Sequence, residues 1–279
     1  MATATATGTQ TPRIPVPAVL SGYLVLLVLA ESLIAYGDGV RSASIEEAGL
    51  AVHILLVFAL LIHGVVVQPR QATLGALLTA LSLASLIRVY SLALPPLPGQ
   101  ILPRDTLVRL ALVSAPLLVS IAAVAYVQRI RPRDLGILTP LRDWPVQAAI
   151  ALTGLPLGVV EYYILRPEPW ISELTLPAVV GATLVIFLAT GVSEELIFRG
   201  ILMRRAIEGL GTTAGLMFVS IAFTALHIFF RSPADLAFVF GVALFYGGAV
   251  IRTRSLWGAI GSHTLGNVVL YLLAPFLIG

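Results

Sequence analysis

Glu194 and Glu195 stand side by side directly behind the apolar run 176–190, and Arg199 follows four residues after the second. Insertion scales assign about 2.5–3.5 kcal/mol to each such charge at the middle of a membrane helix, so the cluster requires compensation. Candidates occur in two later apolar runs, Phe223 to His227 and His263 to Asn267. Helix geometry sorts these residues by face. Glu194 and Glu195 point about 100° apart, whereas Glu195 with Arg199, Phe223 with His227 and His263 with Asn267 are i,i+4 pairs on one stripe each. An intrahelical Glu195–Arg199 ion pair is therefore expected, which leaves Glu194 as the free carboxylate.

A carboxylate, two imidazoles and a carboxamide form a set suited to water-mediated hydrolysis. A carboxylate with a neutral imidazole can take a proton from water. A second imidazole and an amide N–H can hydrogen-bond the oxyanion that develops on a peptide carbonyl. Glu194, His227 and His263 are also zinc-ligand types, and zinc would generate the hydroxide itself. Other chemistries are closed: the chain has no cysteine, and all 17 of its basic residues are arginine. That removes thiolate zinc sites, cysteine nucleophiles, disulfides and lysine bases.

The elements that must position this set are membrane helices. Of 279 residues 58% are hydrophobic and 11% charged, with a mean hydropathy of +0.98, far outside the range of soluble domains. Since irregular backbone cannot face lipid, the predicted fold is all-α, a polytopic bundle in the cell membrane. Predicted spans are 16–36, 48–67, 71–94, 106–127, 145–165, 176–199, 212–230, 235–251 and 255–277, each near the ~20 residues a crossing needs. The count is eight to nine, depending on the short 235–251 run. Residues 1–15, Ala/Thr-rich, are expected to be a disordered tail. Breaker clusters such as Gly37-Asp38-Gly39, Pro95-Pro96-Leu97-Pro98-Gly99 and Gly209-Leu210-Gly211 mark connections. The polar linker 128–143 separates a four-helix region, 16–127, from a C-terminal bundle, 144–279, that holds all three motifs.

Depth decides whether those motifs can meet. If the sixth helix continues through the amphipathic stretch 201–208 and turns near Leu210-Gly211, Glu194 and His227 each lie about 25 Å from that turn. His263 and Asn267 fall within one or two turns of the same level. The net charge of +3 and pI near 9.5 come from arginines scattered between spans, which act as topology signals and not as a nucleic-acid surface. Their bias favours the N-terminus inside and, with nine spans, the C-terminus outside, placing the pocket in the outer half.

Together the three pieces resemble the CPBP family of membrane proteases (CAAX proteases and bacteriocin-processing enzymes), which includes the type II CAAX prenyl endopeptidases. The pattern E-E-x-x-x-R, F-x-x-x-H, H-x-x-x-N stands here as Glu194-Glu195 to Arg199, Phe223 to His227 and His263 to Asn267. The resemblance covers roughly residues 175–275, and Asp134-Leu135-Gly136 looks like the polar segment that often precedes this core. It implies endoproteolysis of a membrane-embedded or lipid-modified peptide or protein. Glu194 and His227 would activate water, His263 and Asn267 would form the oxyanion site, and Glu195, Arg199 and Phe223 would support them. A metal-free glutamate mechanism is the favoured form, with no cofactor; a metalloendopeptidase with zinc on Glu194, His227 and His263 is the alternative. The resemblance also implies a site open to the cytosol, against the arginine count. A non-catalytic membrane scaffold of the same fold is the rival function.

Other buried-looking polar residues have plainer readings. Glu31, Arg88 and Glu161 are expected to snorkel or pair locally. His53 and His63 sit about 80° off a common face and read as packing or interfacial residues, and Tyr162, Tyr163, Trp170 and Trp257 as interfacial anchors. No pair of related halves appears, as a transporter would have.

Overall fold

The computed structural model describes residues 15–93 and 103–279. All regular structure among them is helical. The first fourteen residues and the Pro95–Gly99 connection lie outside the described residues. Nine helices among the described residues are long and apolar enough to cross a membrane: α1 Val16–Val40, α2 Ala43–Val67, α3 Ala72–Leu92, α4 Thr106–Val127, α5 Trp144–Leu165, α6 Leu176–Leu210, α7 Thr212–Phe230, α8 Pro233–Thr253 and α9 Trp257–Leu277. Apolar side chains on the outer faces, such as Val25, Leu55, Val65, Val119 and Leu176, stay more than half exposed. Such surface is favourable against hydrocarbon and costly in water. The chain is a multi-pass integral membrane protein.

Boundaries depart from hydropathy where charge and helix formation disagree. The second helix starts at Ala43, five residues before the apolar run, and carries Glu46 in its first turn, where a carboxylate complements the exposed N–H groups. The sixth runs unbroken to Leu210 and turns at Gly211, whose φ of +84° is accessible to glycine without strain. Five further helix ends pass through a left-handed residue that is not glycine, and each is an arginine: Arg41, Arg129, Arg166, Arg231 and Arg254.

Long-range contacts tie the ends of the bundle in the alternation nine spans require. At one end Arg231 Nη2, after α7, meets Asp38 Oδ2 of α1 at 3.0 Å. At the other, Arg205 Nε of α6 donates to Gln128 Oε1 after α4 at 2.6 Å. The linker 128–143 closes against the start of α9 there, with Leu256 N donating to Gly136 O and Trp257 Nε1 to Ile137 O. One hydrophobic core crosses that linker, joining Leu27, Leu60, Leu78 and Leu117 of α1–α4 to Phe198, Phe223, Val239 and Ile260 of α6–α9.

Candidate active site

The helix that carries the carboxylates is not a regular α-helix. Within α6, Phe187–Val192 and Leu196–Leu202 are π-helical, flanking the short α segment Ser193–Glu195. Such widened turns shift the phase of everything beyond them and recur at functional sites. Hydroxyls occupy carbonyls along the first: Thr190 Oγ1 donates to Ile186 O at 2.8 Å and Ser193 Oγ to Leu188 O at 2.7 Å. Gly191 lets α9 approach, since a Cβ there would overlap Thr264 Oγ1. The same close approach brings His263 onto the carboxylate pair.

His263 is the meeting point. Its Nδ1 lies 2.9 Å from Glu195 Oε1 and its Nε2 3.9 Å from Glu194 Oε2. Arg199 Nη1 donates to the same Glu195 oxygen at 3.0 Å, so the expected i,i+4 pair forms and is almost fully buried. The Arg199 guanidinium stacks over Phe223 at 4.4 Å and faces Tyr246 at 5.6 Å, an arrangement that partly replaces its hydration. Because a carboxylate only accepts, Nδ1 of His263 carries the proton and Nε2 is the nitrogen turned toward Glu194.

His227 sits where α7 loosens. The α-helix ends at Ala225, and His227 N donates back three residues to Thr224 O at 2.9 Å. Its Nδ1 lies 3.1 Å from Phe223 O. A carbonyl only accepts, so Nδ1–H donates and the Nε2 lone pair remains available as a base. Phe223 packs edge-on to Phe198 at 5.0 Å and to His263 at 6.1 Å, and tilted against His227 at 4.9 Å. It is the apolar hub of the site. Glu194, 16 residues before the end of α6, and His227, 15 after the start of α7, stand at matching depth, about 22–24 Å from the turn between them.

Asn267 lies one turn beyond His263, its Nδ2 donating to Thr190 Oγ1 at 3.0 Å. With His227 and His263 it lines a cavity of about 40 Å³ that also touches Glu161, Phe223, Phe238 and Tyr246. One water needs roughly 10–15 Å³ of such volume, so the space is water-sized and polar on several sides. Glu194 stands behind His263 and does not wall this cavity, and no hydrogen bond joins it to His227.

The family model described as type II CAAX prenyl endopeptidase Rce1-like matches residues 176–269. That segment contains Glu194, His227, His263 and Asn267. The matched segment is similar to the CAAX prenyl endopeptidases. No curated protein and no solved structure matches the chain. The CAAX protease match spans α6 to α9 and leaves α1–α5 outside it, so it supports a protease core of the CAAX-processing type in a membrane protein.

Several residues near the matched segment escape the sequence analysis or have a plainer reading there than the structure gives them. Glu161 of α5 faces the cavity and does not simply snorkel; its signal, an acid inside an apolar run, is the one that singled out Glu194. Tyr246 donates to Ser262 Oγ at 2.9 Å while its ring tilts against His263 at 6.2 Å. Asp235, one turn before Phe238 on the same stripe of α8, is fully buried with neither carboxylate oxygen hydrogen-bonded. Glu31 and Arg88, expected to pair locally, instead pair with each other between α1 and α3. His53 lies within 3.2 Å of Glu31 and His63 within 2.9 Å of Tyr23 OH, both in packing roles.

Among the described residues no three histidine, aspartate or glutamate side chains are grouped to hold a metal ion. Glu194, His227 and His263, the set of the zinc alternative, form no such group.

Proposed function

We propose that this protein is an intramembrane endopeptidase that hydrolyses a peptide bond of a membrane-embedded or lipid-modified peptide or protein without a metal. The observation that carries the reading is the water-sized cavity lined by His227, His263 and Asn267, with Glu194 3.9 Å from His263. Water in that space loses a proton to the free Nε2 of His227, or through a second water to Glu194, as its oxygen attacks the carbonyl carbon. Negative charge moves to the carbonyl oxygen. Asn267 Nδ2–H and, when its Nε2 is protonated, His263 donate to that oxyanion. Collapse breaks the C–N bond, and the proton taken from water passes to the leaving amine, leaving the base ready for another turnover.

An apolar groove of about 480 Å³ between α5 and α8 shares Leu157, Phe238 and Val242 with the cavity. It favours a substrate that arrives from the lipid side. Glu195 and Arg199 hold His263 and Phe223 in place, and Glu161 adds a carboxylate to the lining of the cavity.

The test compares newly formed peptide termini in membranes of the native host carrying wild-type protein or Glu194→Gln. Termini that vanish in the variant support proteolysis and identify the substrate. If none depend on Glu194, and Glu194→Gln rescues the phenotype of a deletion, the protein acts by binding.

A further inference from the structure

The four N-terminal helices contribute a charged pair that reaches the site from outside the family match. Glu31 of α1 is completely buried, and Arg88 of α3 grips it with both arms: Nε to Oε1 at 2.9 Å and Nη2 to Oε2 at 2.8 Å. Taking two charges out of water costs several kcal/mol per ion, and a buried pair is weak evidence for stability by itself. The pair has further partners, and His53 Nε2 lies 3.2 Å from Glu31 Oε1. Arg88 Nη2 also donates to Leu226 O at 2.7 Å, and the guanidinium lies 5.6 Å from the Phe229 ring.

Leu226 is the residue before His227. Here the α-helix has ended, and Leu226 N and His227 N bond back three residues, to Phe223 O and Thr224 O. Helix C-termini leave carbonyls unpaired and favour a cation, so the turn is a natural seat for a guanidinium. The orientation of His227 depends on the same turn, through its Nδ1 contact with Phe223 O at 3.1 Å. We propose that Arg88, held by Glu31, is a positioning residue for His227: by fixing the Leu226 carbonyl it sets the turn that presents the imidazole to the cavity. This gives the N-terminal helices a role in the reaction, and it rests on the reading of His227 as a catalytic base. A misplacement of about 1 Å in such a group costs about 10²-fold in rate.

The experiment uses the full chain in lipid nanodiscs as wild type, Arg88→Gln, Arg88→Lys, Glu194→Gln and the pair-removed double variant Glu31→Leu with Arg88→Met. The double variant leaves neither member of the ion pair unpaired and deletes the donor to Leu226; because it also takes Glu31 from buried His53, Glu31→Leu with Arg88→Met is read beside Arg88→Gln, which keeps that contact. The chain has four histidines, so 15N-histidine spectra report His227 separately once each signal is assigned by substitution. Cleavage is followed on a fluorogenic farnesylated CAAX peptide. Arg88→Gln and the double variant should move the His227 signal, leave that of His63 in place, and lower kcat about 10- to 100-fold at nearly constant KM. Arg88→Lys should recover part of the rate, as a cation without the fork. A double variant with the melting temperature, His227 signal and kcat of wild type overturns the proposal. If wild type leaves the peptide intact, or Glu194→Gln cuts it at the wild-type rate, the catalytic reading fails on this probe. The His227 signal then still decides the positional role of Arg88: unmoved, it overturns that role; moved, it supports it.

Discussion

Glu195 Oε1 lies 2.9 Å from His263 Nδ1, the same oxygen that takes the Arg199 guanidinium at 3.0 Å. One carboxylate therefore serves as counterion to a buried arginine and as the partner that selects the tautomer of an imidazole. The fully buried Glu195 holds the ring, and the neighbouring Glu194, with a side chain 20% exposed, stays free to exchange protons.

Glu195→Gln should lower kcat about 10- to 100-fold, the usual cost of removing a group that orients a reacting histidine. It also strands the Arg199 charge, with a stability loss of about 3–5 kcal/mol. Adding Arg199→Met should restore the melting temperature but not the rate; recovery of both would reduce Glu195 to a structural counterion.

Glu194→Gln should keep the wild-type melting temperature and lose about 10²- to 10⁴-fold in rate, the range for a general base. Chelator-treated wild-type protein should retain its rate and hold far less than one zinc per chain by elemental analysis. Loss of activity that returns with added zinc would replace the metal-free mechanism.

Asn267→Ala removes one donor to the developing oxyanion and should cost about 10²- to 10³-fold in kcat with little change in KM. Thr190→Val, which deletes the hydroxyl that holds the Asn267 amide, should show a smaller drop of the same kind. A rise in KM alone in either variant would place Asn267 in substrate binding.

Gly191→Ala drives a methyl group into Thr264 Oγ1 and should separate α6 from α9, costing about 1–3 kcal/mol by overpacking. Thr264→Ala vacates that position, so the double variant should recover most of the loss. Additive losses in a thermal-denaturation cycle would rule out the contact.

Arg41 ends its helix at φ 55°, where a side chain costs about 1–2 kcal/mol and glycine does not. Arg41→Gly should therefore raise the melting temperature in detergent. The gain should be absent at Arg166, where stacking of the guanidinium on Tyr162 and Tyr163 offsets the strain.

Apolar run length and the period of the helix are local properties, and from them the chain alone determined eight to nine spans, the order of the three motifs and the i,i+4 pairs Glu195–Arg199, Phe223–His227 and His263–Asn267, while the structure decided in favour of nine spans among the described residues. Residue counts from the Leu210-Gly211 turn also set Glu194 and His227 at one depth, because rise per residue is nearly constant along a helix. Only the tertiary structure decided which carboxylate meets which imidazole. The π-helical turns on both sides of Glu194 rotate it and Glu195 relative to the rest of α6, and hydropathy carries no trace of that phase shift. Likewise Glu161, Tyr246 and the Glu31–Arg88 pair look alike in sequence as isolated polar residues in apolar runs. Their roles depend on rotation and sliding between helices far apart in the chain, and side-chain packing across the shared core sets both.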